Sequence, residues 1–167
     1  MGRHKNFWQI TEDSLDKSMK AFKIDIGMKN ELLDLYKILS PYPEVKETLE
    51  KLKEKKYILA ILSNGTPDLL NELVKSNDLQ NLFDDIFSIE EVKIYKPSSK
   101  VYDMPIKKYN MKKEDAAFLS ANTWDVSGGG NYGFSSVWVN RNNNIFDNLD
   151  YTPKNEISGL NQLLDIL

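Results

Sequence analysis

Cysteine is absent from this 167-residue sequence, and histidine occurs once, as His4. Without cysteine the chain cannot form disulfide bonds, bind a metal ion through thiolates or use a cysteine nucleophile. His4 has no acidic or serine partner close to it in the sequence, so we expect it to be structural or exposed to solvent. Disulfide bonds, thiolate-bound metal ions and cysteine nucleophiles are therefore excluded at the start.

The sequence also has no excess of positively charged residues, since it contains 22 Lys and Arg and 25 Asp and Glu. Binding to a phosphate backbone needs a basic patch, so we expect no nucleic-acid partner. No apolar run approaches the length of a membrane span, and residues 1–6 lack the apolar segment of a secretory signal. We therefore expect a cytoplasmic protein without a membrane partner, large enough to bury a core.

The first third of the chain has a helical pattern. Thr11 is suited to cap a helix whose first turn carries Glu12 and Asp13. A second helix is predicted from Leu32 to Leu39, and the Pro-containing residues 40–43 then interrupt the pattern. We predict a helical unit at residues 1–42 and an α/β unit at residues 43–167.

Short apolar runs alternate with helical segments after residue 43, which is typical of a parallel sheet covered by helices on both faces. The predicted strands lie at residues 57–62, near 86–87, at 116–119 and at 136–139. Pro97 suits the first turn of a helix, and a last helix is expected to carry Ile157 through Leu167. The fold class is thus α/β, and its ligands should bind beyond the carboxyl ends of the strands.

Polar side chains follow three of these strands. The first of these strands is followed by a hydroxyl and an amide group, those of Ser63 and Asn64. The second is followed by the ammonium group of Lys96. The third is followed by a polar cluster with one carboxylate, formed by Ser120, Asn122 and Asp125. Each alone is commonly a turn residue, a helix cap or a solvated charge. Their shared edge instead favours a site for a small anion, in which Asp125 orients or deprotonates water.

Three strings resemble, in order and spacing, motifs of the (S)-2-haloacid dehalogenases, a branch of the haloacid dehalogenase-like hydrolases. They are Ile61-Leu62-Ser63-Asn64-Gly65, then Tyr95-Lys96-Pro97 through Val101-Tyr102, and then Ser120-Ala121-Asn122-Thr123-Trp124-Asp125. The similarity extends from Arg3 through Arg141. It implies a Rossmann-like parallel core with a helical cap.

The resemblance also implies roles for individual residues. Ser63 and Asn64 would help to bind the substrate carboxylate and the halide, and Lys96 would pair with the nucleophile. Ser120 and Asn122 would orient the catalytic carboxylates, while Asp125 would help to position or activate water. Phe7 and Trp124 would line an apolar pocket, and Tyr102 would support the site.

The reaction implied is displacement of the halogen of an (S)-2-haloacid by an aspartate carboxylate, followed by hydrolysis of the ester to an (R)-2-hydroxyacid. The partner would be a small 2-haloacid anion, with no metal ion or cofactor, and the protein would be a homodimer. The family's nucleophile lies in a string such as Asp-x-Tyr-Gly-Thr, which does not occur in these 167 residues.

We therefore expect an N-terminally truncated chain, with a cap remnant and without the family's central strand, that is inactive alone. Two alternatives stay open. One is a non-catalytic remnant stabilised by dimerisation or strand swapping. The other is a phosphatase-like hydrolase.

Overall fold

The structure is a computed structural model that describes residues 4–167. Arg3, where the resemblance begins, lies outside these residues. The chain starts with two helices, α1 (Phe7–Phe22) and α2 (Lys29–Leu35), joined through a 3-10 turn at Ile26–Met28. Met19 and Leu33 are buried. The exposed apolar side chains around them include Phe22 and Ile26.

Helices and strands alternate through the rest of the chain, as predicted. In order they are α3 (Val45–Glu54), β1 (Ala60–Ser63), α4 (Pro67–Ser76), β2 (Asp85–Ser88), α5 (Ser99–Tyr109), β3 (Ala117–Ser120), α6 (Thr123–Tyr132), β4 (Ser135–Val139), β5 (Asn155–Ile157) and α7 (Leu163–Ile166). The strand pairs are all parallel. The α/β fold class is confirmed, whereas the domain boundary at residue 42 stays a prediction.

The described strands form two separate sheets. One has the order β1-β2 and the other the order β3-β4-β5. Apolar side chains cover β4 and β5 around Val137 and Ile157, and a second cluster around Phe87 and Val101 packs α5 on β2. The carboxyl ends of β1 and β3 therefore bring the loops after them to one edge of the core.

Three boundaries predicted from the sequence are wrong. Helix α1 begins at Phe7, because Asn6 and Gln9 form a reciprocal capping box, and Thr11 lies inside the helix. Pro97 precedes the first turn of α5, whose N-cap is Ser98. Ile157 belongs to β5, which pairs with β4, so the last helix is only the short α7.

Within residues 4–167, no helix combines the length and the apolar character needed to cross a lipid bilayer.

Candidate active site

The centre of the site is an ion pair between Lys96, in the loop between β2 and α5, and Asp125, in the first turn of α6. Lys96 Nζ lies 2.6 Å from Asp125 Oδ2, and the two side chains are 8% and 5% exposed. The same ammonium group donates to the main-chain carbonyl of Leu62 in β1, at 3.2 Å. Lys96 thus connects the carboxyl end of β1 to the first turn of α6.

Tyr102 holds the other oxygen of the Asp125 carboxylate. Its hydroxyl group donates to Asp125 Oδ1 at 3.0 Å, and its side chain is completely buried. Burial, followed by the negative charge of Asp125, raises the pKa of Tyr102 well above its ordinary value of 10.0. Tyr102 is therefore a permanent hydrogen-bond donor at neutral pH, and Asp125 has a fixed orientation.

Ser63 is the last residue of β1, and Asn64 follows it in the turn between β1 and α4. The main-chain N–H of Lys96 donates to Asn64 Oδ1 at 3.2 Å, so the Asn64 amide group is fixed beside Lys96. Ser63 Oγ accepts from the N–H of Gly65, whose carbonyl accepts from Ser88. The turn is tied to both strands of its sheet, and it ends at the N-terminus of α4, where helix N–H groups favour an anion.

Ser120 and Asn122 lie at the same edge, Ser120 as the last residue of β3 and Asn122 as the N-cap of α6. Ser120 Oγ accepts from the N–H of Asn122 at 3.2 Å. The carbonyl of Asn122 accepts from the N–H groups of Asp125 and Val126, at 3.0 Å each. These two residues shape the turn that presents Asp125, and the exposed Asn122 side chain faces out of it.

The two apolar candidates, Phe7 and Trp124, lie at the starts of two different helices. Phe7 is the first residue of α1 and is half-buried, whereas Trp124 is 41% exposed at the start of α6. The segment before Phe7 is fastened to the loop that carries Lys96, because the Tyr95 hydroxyl group donates to the carbonyl of Lys5 at 2.7 Å. The role of both side chains as pocket walls stays a prediction.

His4 has an acidic partner that the local sequence does not reveal. His4 Nε2 lies 3.0 Å from Glu90 Oε2, although the two residues are 86 positions apart. Both side chains are 21% exposed. That His4 is structural or exposed stays a prediction. The residues next to His4 in the sequence include no acidic partner, but the folded chain supplies one, Glu90.

An apolar cavity of about 350 Å³ separates the two sheets. Its walls include side chains of β1 and β3 and of the helices around them: Leu52, Ala60, Leu62, Phe87, Pro105, Ala117, Phe118, Leu119 and Leu163. The residues of β1 and β3 are only partly buried, whereas the middle of β4 is fully buried. An apolar strand in a parallel sheet is normally covered on both sides, so this cavity is a gap in the core.

Comparison with known proteins assigns the chain to a family. The family model for haloacid dehalogenase-like hydrolases matches residues 3–139, which is most of the chain. The chain belongs to this family.

Relatives of this haloacid dehalogenase-like hydrolase agree with the resemblance seen in the motifs. The (S)-2-haloacid dehalogenase 4A of Burkholderia cepacia is 35% identical over 170 residues, which cover 100% of this chain and 73% of that protein. A crystal structure of a dehalogenase superposes with a TM-score of 0.95 at 34% identity, covering 98% of this chain and 74% of that one. The chain is thus a hydrolase of this family with close 2-haloacid dehalogenase homologues.

A third comparison contains a trapped reactant. The L-2-haloacid dehalogenase of Xanthobacter autotrophicus, with chloropropionic acid covalently bound, superposes with a TM-score of 0.91 at 25% identity. The match covers 99% of this chain and 77% of that one. That relative thus holds a haloacid compound through a covalent bond.

Two contacts of this hydrolase's site were missed from the sequence. A main-chain carbonyl such as that of Leu62 carries no residue-type signal, so its bond with Lys96 could not be predicted. The face of Phe118, in β3, lies 5.4 Å below Lys96 Nζ and favours the cation. The only sequence feature that pointed to this contact was the position of Phe118 near the end of a predicted strand.

Proposed function

We propose that this chain is of the (S)-2-haloacid dehalogenase type, with its chemistry around Lys96 and Asp125, and that without the family's nucleophilic aspartate it is inactive alone. The observation that carries the proposal is the buried ammonium group of Lys96 between the carbonyl of Leu62 and the carboxylate of Asp125. A cation in this position attracts a second carboxylate and stabilises its ionised form. The names of the relatives supply the substrate class, a small 2-haloacid anion.

The reaction has two steps. A carboxylate oxygen beside Lys96 attacks carbon 2 of the (S)-2-haloacid opposite the halogen, and the halide leaves with the electron pair of the broken bond. This step inverts carbon 2 and gives an ester. Water then attacks the ester carbonyl and breaks the acyl–oxygen bond, which releases the (R)-2-hydroxyacid, a proton and the free carboxylate.

Asp125 is placed to position or activate the hydrolytic water. Both of its oxygens accept hydrogen bonds, from Lys96 and from Tyr102, so its orientation is fixed before substrate binds. Each oxygen can accept a further hydrogen bond from water. Ser120 and Asn122 shape the turn before Asp125, and we propose that they orient the catalytic carboxylates in this way.

Ser63 and Asn64 are proposed to bind the substrate carboxylate and the departing halide. The Asn64 side-chain oxygen is occupied by the N–H of Lys96, which leaves the amide NH₂ group free to donate to an anion. Unpaired N–H groups at the start of α4 add to this site. Phe7 and Trp124 are proposed to enclose the halogen-bearing carbon.

We further propose that the nucleophilic carboxylate arrives on an extended strand that fills the cavity between β1 and β3. Each of these strands pairs on one side only among the described strands, with β2 and β4 respectively. An inserted parallel strand would pair with both free edges and cover their apolar side chains. Its carboxyl end would then lie at the edge where Lys96 is buried.

The test is halide release by a version of the chain in which an apolar strand ending in Asp-x-Tyr-Gly-Thr is joined ahead of Met1. We call this version the strand-supplied chain. We expect chloride and (R)-lactate from (S)-2-chloropropionate, and no release from the (R)-enantiomer. The matched control replaces the added Asp with Asn and should be inactive. The 167 residues alone should release no halide above background.

Other outcomes would replace the proposal. An active Asn control would show that the added carboxylate is not the nucleophile. If the strand-supplied chain released no halide but cleaved p-nitrophenyl phosphate with Mg²⁺, the phosphatase-like function would take its place. Turnover by the 167 residues alone, with contaminating enzyme excluded, would place the nucleophile within them.

We also propose that the chain forms a homodimer. The helical unit exposes several large apolar side chains, with Phe22 78%, Ile26 60% and Ile38 65% exposed, and burying such a surface favours association. Light scattering should give the mass of two chains, and a well-folded monomer at low concentration would contradict the dimer. Separately, we propose that the protein is cytoplasmic, which cell fractionation would test.

A further inference from the structure

Three successive glycines, Gly128, Gly129 and Gly130, lie in the middle of α6. Apart from proline, glycine is the least favourable residue in a helix interior. A side chain added at each glycine would meet a different neighbour. At Gly128 it would meet α5 and the loop before it, at Gly129 strand β3, and at Gly130 the loop that carries Tyr151. Gly128 is three positions after Asp125, so the two residues lie on the same face of the helix.

A side chain at position 128 would collide with the residues that hold the ion pair. A β-carbon there would lie 2.5 Å from the Tyr102 hydroxyl oxygen and 2.7 Å from Pro97 Cβ. Both distances are shorter than real β-carbon contacts. Pro97 directly follows Lys96, and Tyr102 donates to Asp125, so both contacts adjoin the pair.

Neither neighbour has room to move away. Tyr102 is completely buried, and its ring packs against Phe118, Tyr132 and Phe134 at centroid distances of 5.5 to 5.7 Å. The Pro97 β-carbon belongs to a rigid ring beside the main chain. An added methyl group must therefore push α6 away from Pro97 and Tyr102, and this movement carries Asp125 away from Lys96.

We infer that Gly128 is a positioning residue: its missing side chain allows α6 to approach Pro97 and Tyr102 closely enough for Asp125 to reach Lys96. The inference rests on the proposed function only in taking Lys96 and Asp125 as the groups that act on substrate. The contact itself exists without turnover, so the two can fail separately.

The experiment follows the Lys96 ammonium group by NMR in the 167-residue chain and in Gly128→Ala. A buried, hydrogen-bonded ammonium exchanges slowly with water and gives its own ¹H–¹⁵N signal, which Lys96→Met assigns by removing it. We expect the signal in the parent chain and its loss in Gly128→Ala. A signal that keeps its parental shift in Gly128→Ala would overturn the inference.

The matched control is Gly130→Ala, which brings the same change in helix propensity two residues further along. A β-carbon at position 130 meets the end of the Tyr151 ring, on a half-buried loop residue that can swing aside. We expect Gly130→Ala to keep the Lys96 signal. Equal loss in both variants would show a general effect on α6 and would contradict a positioning role for Gly128.

A rescue variant covers the case in which Gly128→Ala does not fold. Tyr102→Phe removes the hydroxyl group that the added methyl meets and leaves the bond between Lys96 and Asp125 possible. We therefore expect Gly128→Ala with Tyr102→Phe to recover part of the folded signal and of the Lys96 resonance. A double variant no better than Gly128→Ala would contradict the inference.

Discussion

At the scale of single residues, the pair of Lys96 and Asp125 places two charges where little water reaches them. Removing a charge from water is unfavourable, and the loss is offset here by mutual attraction and by hydrogen bonds from Tyr102 and to Leu62. Such a pair contributes little net stability, yet losing one partner leaves the other charge buried alone. The pair is therefore more sensitive to substitution than any exposed ion pair of the chain.

Lys96→Met tests this sensitivity. The variant keeps the length of the side chain but leaves the Asp125 carboxylate without its cation, so we expect the free energy of unfolding to fall by about 3 kcal/mol. The exposed pair of Lys51 and Glu47 has the same 2.6 Å separation and serves as the control. Lys51→Met should lower the free energy of unfolding far less in the same urea titration, because water and salt screen an exposed pair; equal losses would contradict the burial argument.

Tyr102 predicts how stability responds to alkaline pH. Its pKa is raised in the folded chain above the ordinary value of 10.0, so above pH 10 the unfolded state loses a proton that the native state keeps. The stabilisation from Tyr102 is therefore complete below pH 10 and declines as pH rises, by about 1.4 kcal/mol per pH unit. Urea titrations between pH 9 and 11 should show a shallower decline for Tyr102→Phe than for the parent.

The exposed Tyr36 provides the comparison for that prediction. Tyr36→Phe should decline with pH as steeply as the parent, because it leaves the buried hydrogen bond between Tyr102 and Asp125 in place. If Tyr102→Phe and Tyr36→Phe gave the same slope, the buried hydrogen bond between Tyr102 and Asp125 would not be present in solution.

The sequence allowed Lys96 and Asp125 to be predicted at one edge because both come shortly after apolar strands. Tyr102 lies inside α5, away from any strand end, and entered only through the resemblance of its motif. Gly128 had no visible role, because its importance is the space that a side chain would fill. Residue type and strand order reveal which groups share an edge, whereas the distances between them depend on packing.

At the scale of elements, the start of α1 shows how two capping signals compete. Thr11 followed by Glu12 and Asp13 fits a helix N-terminus, and so does Asn6 followed three residues later by Gln9. In the structure Asn6 Oδ1 accepts from the N–H of Gln9 at 2.8 Å, and the Gln9 side chain accepts from the N–H of Asn6. The earlier box satisfies two N–H groups and adds a turn that contains Phe7.

Asn6→Ala should weaken this first turn. It removes the side-chain acceptor of the Gln9 N–H, and we expect a loss of about 1 kcal/mol in the free energy of unfolding, with faster hydrogen exchange at Gln9. Asn6→Asp keeps the acceptor and should retain the parental exchange rate. An Asn6→Ala chain with an unchanged Gln9 rate would show that the helix does not begin at Phe7.

Strand β5 was missed for a related reason. It has only three residues, two of them polar, and Ile157 also fits the helical spacing of the apolar residues that follow. Pairing with β4 decides the matter, since Asn155 and Ile157 align with Val137 and Val139. A tertiary contact of this kind is invisible in a short sequence window.

At the scale of the whole molecule, the main feature is the cavity between the sheets. The alternation of helices and strands predicts one layered α/β unit, but it does not state which strands are neighbours. The absence of the family's central strand was expected only from the resemblance to the dehalogenases. Partly exposed apolar strands on both sides of the cavity now give that expectation a physical basis.

Hydrogen exchange tests whether a supplied strand enters this cavity. In the strand-supplied chain, the main-chain N–H groups on the free edges of β1 and β3 should exchange at least about tenfold more slowly than in the 167 residues alone, because they gain partners. The N–H groups of β4, which already pairs on both sides, should change least. Uniform slowing in all strands would indicate general stabilisation without insertion.

The central claim is that Lys96 serves the reaction at the edge where the sheets meet. Its most direct test is the rate of chloride release from (S)-2-chloropropionate by the strand-supplied chain, with and without Lys96→Met. The account predicts a fall of roughly 100-fold or more for a folded Lys96→Met chain, and no change for Lys17→Met on the exposed face of α1. A Lys96→Met rate within twofold of the parent would contradict it.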